Sequence, residues 1–317
     1  MDRLEDAVSE MTRRLQQLDR NQTAQGKATK EELGATVESL SGLFDISAVV
    51  TDINDKVDKQ RQYQELKDLR EAIPAFDSSP RQRDLQWKRS RGTGQWLFET
   101  DEFKRWINGS SPQNTLFCHG SPGSGKTFLT STVISHLQEQ AAHSETVRVA
   151  YFYFDYVHRQ EQGPDRVVGS LLKQLLSGYD SIPPAATGLQ QRFKKSLDPP
   201  PWDELLTEFK TVCSDFPESS IVLDALDECE GDVGLSRILE LVSQLQASRV
   251  RLFVTSRPYS RTINQAFGSS DQIHVRARDE DISAFLQERI VSRHDDSIDA
   301  TLQTDIIKAI VSRSQGM

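Results

Sequence analysis

The residues with the clearest chemistry are Gly120, Ser121, Pro122, Gly123, Ser124, Gly125, Lys126 and Thr127, which spell G-x-x-x-x-G-K-[ST]. The apolar run Leu116, Phe117, Cys118 leads into them, and a helical pattern with Phe128, Leu129, Val133, Ile134 and Leu137 on one side follows. A strand, a glycine loop and a helix in that order are the context in which this motif holds phosphate. Glycines let the backbone curl until several N–H groups face one anion. The helix start adds unpaired donors and the positive end of its dipole. Lys126 is then placed for β- and γ-phosphates, and the Thr127 hydroxyl for Mg2+.

A second group lies about a hundred residues on. Ile221, Val222 and Leu223 read as a short buried strand that runs into Asp224, Ala225, Leu226, Asp227 and Glu228. One carboxylate there can hold Mg2+, directly or through water. Another can orient or deprotonate a water for attack on phosphorus. By itself this stretch reads equally well as an idle acidic loop; the phosphate loop upstream gives it meaning. A third strand, residues 250–254, ends in Thr255, Ser256, Arg257 and Pro258. Arg257 is suited to read a γ-phosphate or to offset charge during transfer, a surface turn being the plainer alternative. Ligands of open α/β sheets bind beyond the carboxyl ends of the strands. The three segments therefore share one crevice only if their strands are neighbours, with Asp224 close to Lys126.

Strand and helix patterns alternate between and around these segments. Residues 147–156 read as a strand apolar on both faces near its end, and Val167, Val168, Leu171, Leu172, Leu175 and Leu176 mark an amphipathic helix. Residues 181–201 read as a proline-bounded loop with a polar helical piece, and residues 205–212 and 235–245 as helices. A strand at 272–275, a helix at 279–293 and a last helix carrying Leu302, Ile306 and Ile310 complete the pattern. The alternation predicts an α/β fold, a parallel sheet with helices on both faces.

The first hundred residues differ. Leu4, Val8, Met11, Leu15 and Leu18 form an a/d seam of about two heptads, short of a full coiled coil. Residues 21–30 read as a polar loop. Ile46, Val49, Val50, Ile53 and Val57 form a second stripe, Tyr63, Leu66 and Ile73 a third, and Pro74 closes the region. Residues 1–76 are thus expected to be helical, as an antiparallel hairpin or an oligomerising coil. Residues 77–91, polar and basic, are expected to be a loop-like linker to a domain at 92–317. Gly92, Thr93 and Gly94 form a turn that either brings backbone to a ligand or is only a turn. Thr100 is placed to cap a short helix over 101–108, with Gly109 as its stop.

Composition narrows the function. A length of 317 residues suits two domains with an ample core. A net charge of −9 with no basic block argues against a nucleic-acid partner held through its phosphates. Three cysteines, Cys118, Cys213 and Cys229, make no disulfide framework and show no metal-ligand spacing, which suits a reducing, cytoplasmic setting. No signal peptide and no membrane span is expected.

The three motif segments together resemble the NACHT-type ATPase core of the STAND signalling class, the NLR-like proteins. Residues 120–127 are similar to its Walker A loop and residues 255–258 to its sensor 1. Residues 224–228 are similar to its extended Walker B, with Ala225 where Gly is usual. The segment from Gly92 through Trp96 to Trp106, the aromatic strand at 151–155 and the run Arg276, Ala277, Arg278, Asp279, Glu280, Asp281, Ile282 resemble the fungal branch, a nephrocystin-3-like N-terminal region. The likeness covers roughly residues 90–317. It implies a P-loop NTPase fold of the ASCE type and a switch that rests with ADP and assembles with ATP. It also implies Lys126 and Thr127 on phosphate and Mg2+, Asp224 on the metal, Asp227 and Glu228 as water-activating acids, Arg257 as phosphate sensor, and Gly92, Thr93 and Gly94 near the base. Family members continue into helical, winged-helix and repeat modules, so the resemblance implies a truncated or short form. The alternative is a non-hydrolysing, nucleotide-bound scaffold that assembles through its N-terminal helices. A GTPase is disfavoured because Thr255, Ser256, Arg257, Pro258 stand where Asn-Lys-x-Asp would be expected, and a small-molecule kinase because no arginine-rich lid is apparent.

Overall fold

The structure, a computed structural model, describes residue 13 and residues 24–144, 147–195, 200–216, 218–292 and 300–314. The chain divides into two compact units, residues 1–65 and 66–317. In the first, the described backbone from residue 24 on belongs to helix α1, Ala24–Ala72, whose last turns fall in the second unit. The loop expected at 21–30 is helix from Ala24 on. Gln, Lys, Thr and Glu are helix-compatible, and a single Gly26 costs only about 1 kcal/mol relative to Ala. The separate helices expected over this region are one helix from Ala24. Val50, Ile53 and Val57 are exposed along it, and Lys56 pairs with Asp52 at 2.7 Å. The seam from Leu4 to Leu18 lies outside the described residues.

The second unit is built on five parallel strands: β1 Thr115–His119, β2 Val149–Tyr153, β3 Ser220–Asp224, β4 Arg251–Ser256 and β5 Asp271–His274. Their order is β2-β3-β4-β1-β5. This is the parallel α/β sheet that the alternation predicts, in the P-loop NTPase form of the ASCE type that the resemblance implies. Side chains alternate between two cores, as the strand period of two requires. Phe117, Ile221, Leu223, Leu252 and Val254 face one. Leu116, Cys118, Val222 and Phe253 face the other. Because both faces are covered there, β1 to β4 read as near-unbroken apolar runs rather than as alternating ones.

Helices close each face. Helix α4, Lys126–Ala141, lies on the second core, joined by α2, Ser79–Lys88, and α3, Asp101–Ile107. Thr100 caps α3 by accepting the Phe103 N–H, and Phe103 and Trp106 are its buried face. The first core takes α5, Pro164–Leu176, α6, Thr187–Lys195, α7, Trp202–Ser214, α8, Gly231–Gln246, and α9, Arg261–Ala266. Two more helices follow β5: α10, Asp279–Ser292, and α11, Ala300–Ser314.

Two stretches depart from the expected organisation. Residues 79–88 are helix α2 rather than loop. Pro80 stands in its first turn, where a missing N–H is harmless. Its burial rests on one apolar side chain, Leu85, and one amide, Gln82, which donates to Ser131 O and accepts from the Tyr153 hydroxyl. Leu66, Leu69 and Ile73, read as part of the N-terminal helical region, belong to the first core.

Residues 73–76 run so close to α5 that Gly169 has no space for a side chain: an added Cβ would lie 1.8 Å from Pro74 O. Phe76 N donates to Ser170 Oγ at 2.9 Å in the same contact. Alanine is the better helix former by about 1 kcal/mol, but the clash is with backbone and decides the sign. Gly169→Ala is expected to lower unfolding free energy by about 2 kcal/mol or more, measured by urea denaturation. An unchanged midpoint would mean that residues 73–76 do not pack there.

Candidate functional site

The site forms where the carboxyl ends of β1, β3 and β4 meet. The loop after β1 is anchored by Gly120, whose N–H donates to Ser256 O of β4 at 3.3 Å. A Cβ at Gly120 would lie 2.3 Å from Val275 O, so only glycine fits between the two strand ends. Gly123 and Gly125 take left-handed conformations, with φ of 80° and 90°, which turn the loop back onto the start of α4. Ser124 is buried in the loop with its hydroxyl unpartnered, and Ser121 O accepts the Ser124 N–H at 3.2 Å. Lys126 folds over the loop, donating to Gly120 O at 2.7 Å and Ser121 O at 2.9 Å. Burial lowers the Lys126 pKa, and the nearby Asp227 and Asp224 oppose that shift.

Asp224, at the end of β3, bonds both the neighbouring strand β4 and helix α4. Three hydroxyls surround its carboxylate: Thr127 at 2.9 Å on Oδ2, and Thr130 at 2.6 Å and Thr255 at 2.7 Å on Oδ1. Burial pushes its pKa up, and the three hydroxyl donors and Lys126 pull it back. Oδ1 is saturated by two donors, whereas Oδ2 has one, from the threonine of the phosphate motif. That leaves Asp224 Oδ2 and Thr127 Oγ1 side by side as oxygen ligands. A hydrated Mg2+ that completes its shell with phosphate and water needs one or two such groups and no larger protein cage. The residues present fit that ion, and among the described residues there is no cluster of three or more His, Cys, Asp or Glu suited to another.

Asp227 and Glu228 follow in a short 3-10 turn, Leu226–Glu228. Arg257, just past β4, joins them. Its backbone N–H donates to Asp227 Oδ1 at 2.8 Å, its Nε lies 3.2 Å from Asp227 Oδ2, and its guanidinium donates to Glu228 Oε1 at 2.9 Å. The other Glu228 oxygen accepts the Tyr156 N–H at 3.1 Å. Pro122, Gly123, Gly125, Lys126, Thr127, Asp227, Glu228 and Arg257 line one cavity of about 290 Å³. The three motif segments thus meet, and Asp224 touches the phosphate loop directly.

Thr93 and Gly94 lie at a second opening beside the loop, whereas Gly92, in the same turn, is not part of its lining. Gly92 and Gly94 have φ of 80° and 76° and form a turn. Thr93 and Gly94 also line a cavity of about 250 Å³ with Ser124, Gly125, Phe128, Leu129 and Phe285. The turn is therefore both a turn and a cavity wall. Residues with no sequence-based role appear here and around Asp224. Thr130 and Thr255 hold the buried carboxylate. Asp281 of α10 accepts the Gly94 N–H and the Trp96 indole N–H, each at 3.1 Å. His119 stacks on His274 with centroids 5.2 Å apart, its pKa lowered by burial, by His274 and by Lys126.

The strand order, with β4 between the loop-bearing β1 and the acid-bearing β3, and the loop itself define a P-loop NTPase fold. The family described as Nephrocystin 3, N-terminal, matches residues 92–257, more than half of the chain, and the protein belongs to that family. No curated protein matches the chain. Among solved structures, AMPPCP-bound DnaA from Aquifex aeolicus is similar at 14% identity and a TM-score of 0.40, over 71% of this chain and 58% of that one. The ORC1 protein of Aeropyrum pernix in complex with DNA is similar at 17% identity and a TM-score of 0.40, over 62% and 53%. The ORC2 protein of Aeropyrum pernix in its ADPNP-ADP complexes is similar at 15% identity and a TM-score of 0.41, over 63% and 51%. The chain spans between half and three fifths of the length of these structures.

Ala225, between Asp224 and the acids, has φ 55° and ψ 48°, the left-handed region that glycine occupies without strain. Its N–H is held by Thr255 Oγ1 at 2.9 Å, so the neighbours impose the conformation. A left-handed non-glycine residue costs roughly 1–2 kcal/mol, and the entropy that glycine adds to the unfolded chain returns about 0.4–1. Ala225→Gly is expected to raise stability by up to about 1 kcal/mol. A fall in the denaturation midpoint would contradict that assignment of strain.

Proposed function

We propose that this protein is an ATP-binding, Mg2+-dependent nucleotide switch of the NACHT-type STAND class, acting in signalling of the innate-immunity or incompatibility kind. The observation that carries the reading is the convergence of Lys126, Thr127, Asp227, Glu228 and Arg257 on one cavity, with Asp224 bonded to Thr127 beneath it. The triphosphate lies along the loop, its oxygens taken by the backbone N–H groups and the start of α4. Lys126 exchanges two neutral carbonyls for β- and γ-phosphate oxygens, a charge-assisted contact that is the stronger one. Thr127 and Asp224 would hold Mg2+, which would supply charge neutralisation at the phosphates. Asp227 and Glu228 orient and deprotonate the attacking water. Arg257 leaves the carboxylates for the γ-phosphate and so reports its presence. The base occupies the cavity beside Gly92, Thr93 and Gly94.

On this reading the nucleotide-switching domain at residues 92–317 takes in helix α2 and the end of α1, which pack into its cores, and the helical region before residue 66 serves assembly. Protein partners or further copies of the chain are the targets of the switch, and nucleic acid is not. Among the described residues no helix is long and apolar enough to cross a membrane. All three cysteines are free thiols, which suits the reducing cytoplasm.

Lys126→Ala removes at least one charge-assisted contact of ~1.5–3 kcal/mol, so ATP affinity should fall about tenfold or more. Titration with labelled ATP and Mg2+ measures this, and equal affinity would remove the lysine from the site. Glu228→Gln and Asp227→Asn should retain binding and slow phosphate release; undiminished turnover in both would exclude them as bases. Sedimentation with ADP and with a non-hydrolysable ATP analogue should give different masses, and identical masses would favour a passive scaffold.

A further inference from the structure

The cavity beside Gly94 is walled by Trp96, Phe128, Leu129 and Phe285, and Asp281 is the one carboxylate in its lining. The Asp281 carboxylate is already oriented. The Gly94 N–H binds Oδ1 and the Trp96 indole N–H binds Oδ2, each at 3.1 Å. An ionised carboxylate offers about four acceptor positions, so one remains on each oxygen. Two hydroxyls of the lining direct their protons elsewhere, Thr93 to Ser90 O at 2.8 Å and Thr132 to Phe128 O at 2.9 Å, whereas the Ser124 hydroxyl is unpartnered. The cavity thus combines largely apolar walls with one fixed anionic acceptor, and the cationic Lys88, Arg89 and Arg276 also belong to its lining. A ligand matching that pattern is flat, apolar on its faces and carries an N–H donor on its edge.

We propose that Asp281 is the base-reading residue of this site, accepting a hydrogen bond from the exocyclic amine of adenine. The inference rests on the nucleotide reading above and goes further, since it assigns base selection to a helix far from the phosphate motifs in sequence. The carboxylate is pre-organised by two donors, so little is spent on ordering it when the base enters. A base without the amine leaves an oriented acceptor unpaired in a largely apolar slot, the circumstance in which a missing hydrogen bond discriminates most strongly.

Asp281 also ties α10 to the turn at residues 92–94, and a purely structural tie would weaken every nucleotide by the same factor. The ratio of two affinities separates the roles. With the full chain and Mg2+, dissociation constants are measured for ATP, for purine riboside triphosphate, which lacks the 6-amino group, and for GTP. The unmodified protein should prefer ATP over the purine analogue by about tenfold or more, as expected for a hydrogen bond to a charged acceptor. In Asp281→Ala that preference should fall to about threefold or less. Asp281→Asn, which keeps the side-chain volume and one acceptor, should lie between. A near-unit ratio in the unmodified protein overturns the proposal and needs no variant to fold. So does a ratio that Asp281→Ala leaves unchanged, or a preference for GTP over ATP. ATP binding with any of these outcomes removes the base-reading role alone, whereas failure of ATP to bind at all removes the nucleotide reading with it.

Discussion

The arrangement of the site depends on one buried carboxylate. Asp224 is almost wholly inaccessible, and an isolated charge at that depth would cost several kcal/mol. Hydroxyls offset the cost. Thr127 and Thr130 come from the first turns of α4 and Thr255 from β4. Thr255 also accepts the Ala225 N–H, so the backbone leaving β3 is fixed by the same hydroxyl that steadies the carboxylate. Removing Thr127 would leave Oδ2 without a protein donor, which costs more than the hydrogen bond itself contributes, whereas Oδ1 would keep one donor if Thr130 or Thr255 were lost. The network therefore sets where α4 begins relative to β3 and β4, and with it the position of the glycine loop.

The rest of the site follows from strand order. Since β4 lies between β1 and β3, its own end enters the cavity from the middle. Arg257 is thereby delivered between the loop and the acids and binds both Asp227 and Glu228. Gly120 is equally a product of strand order: it sits between Ser256 O, which takes its N–H, and Val275 O, which leaves no room for a Cβ. Parallel pairing with both faces buried makes this stiff. Strands β1 to β4 are held by neighbours and by a packed core above and below, so the loops beyond their ends share one rigid base.

Much of this was legible along the chain, and the failures have specific causes. The phosphate loop, the acids and Arg257 lie within a few residues of strand ends, where type and spacing are informative, and the alternation of strand and helix predicts the sheet. Helix α2 was hidden because it buries one apolar residue and one amide, too little to produce a hydrophobic period. The start of α1 was misread because polar helix formers resemble a polar loop when no packed face marks them. Thr130 carries no signal of its own, as threonine is ordinary in a helix, and Thr255 stands in the run read for Arg257 rather than for itself. Asp281 stood within a motif-like run, yet its partners Gly94 and Trp96 are 187 and 185 residues away.

The sequence by itself determined which groups are available and which local geometry carries them: a glycine loop between strand and helix, acids and an arginine at strand ends, apolar runs suited to double burial. These are properties of a few consecutive residues, set by backbone preference and periodicity. The tertiary structure alone decided the neighbours. It placed Asp224 under three hydroxyls, paired Arg257 with both acids, forced Ala225 into a left-handed turn and brought Asp281 to Gly94. Each of those outcomes depends on the lateral order of strands and on how closely two backbones approach, and such relations arise only when the whole core is packed.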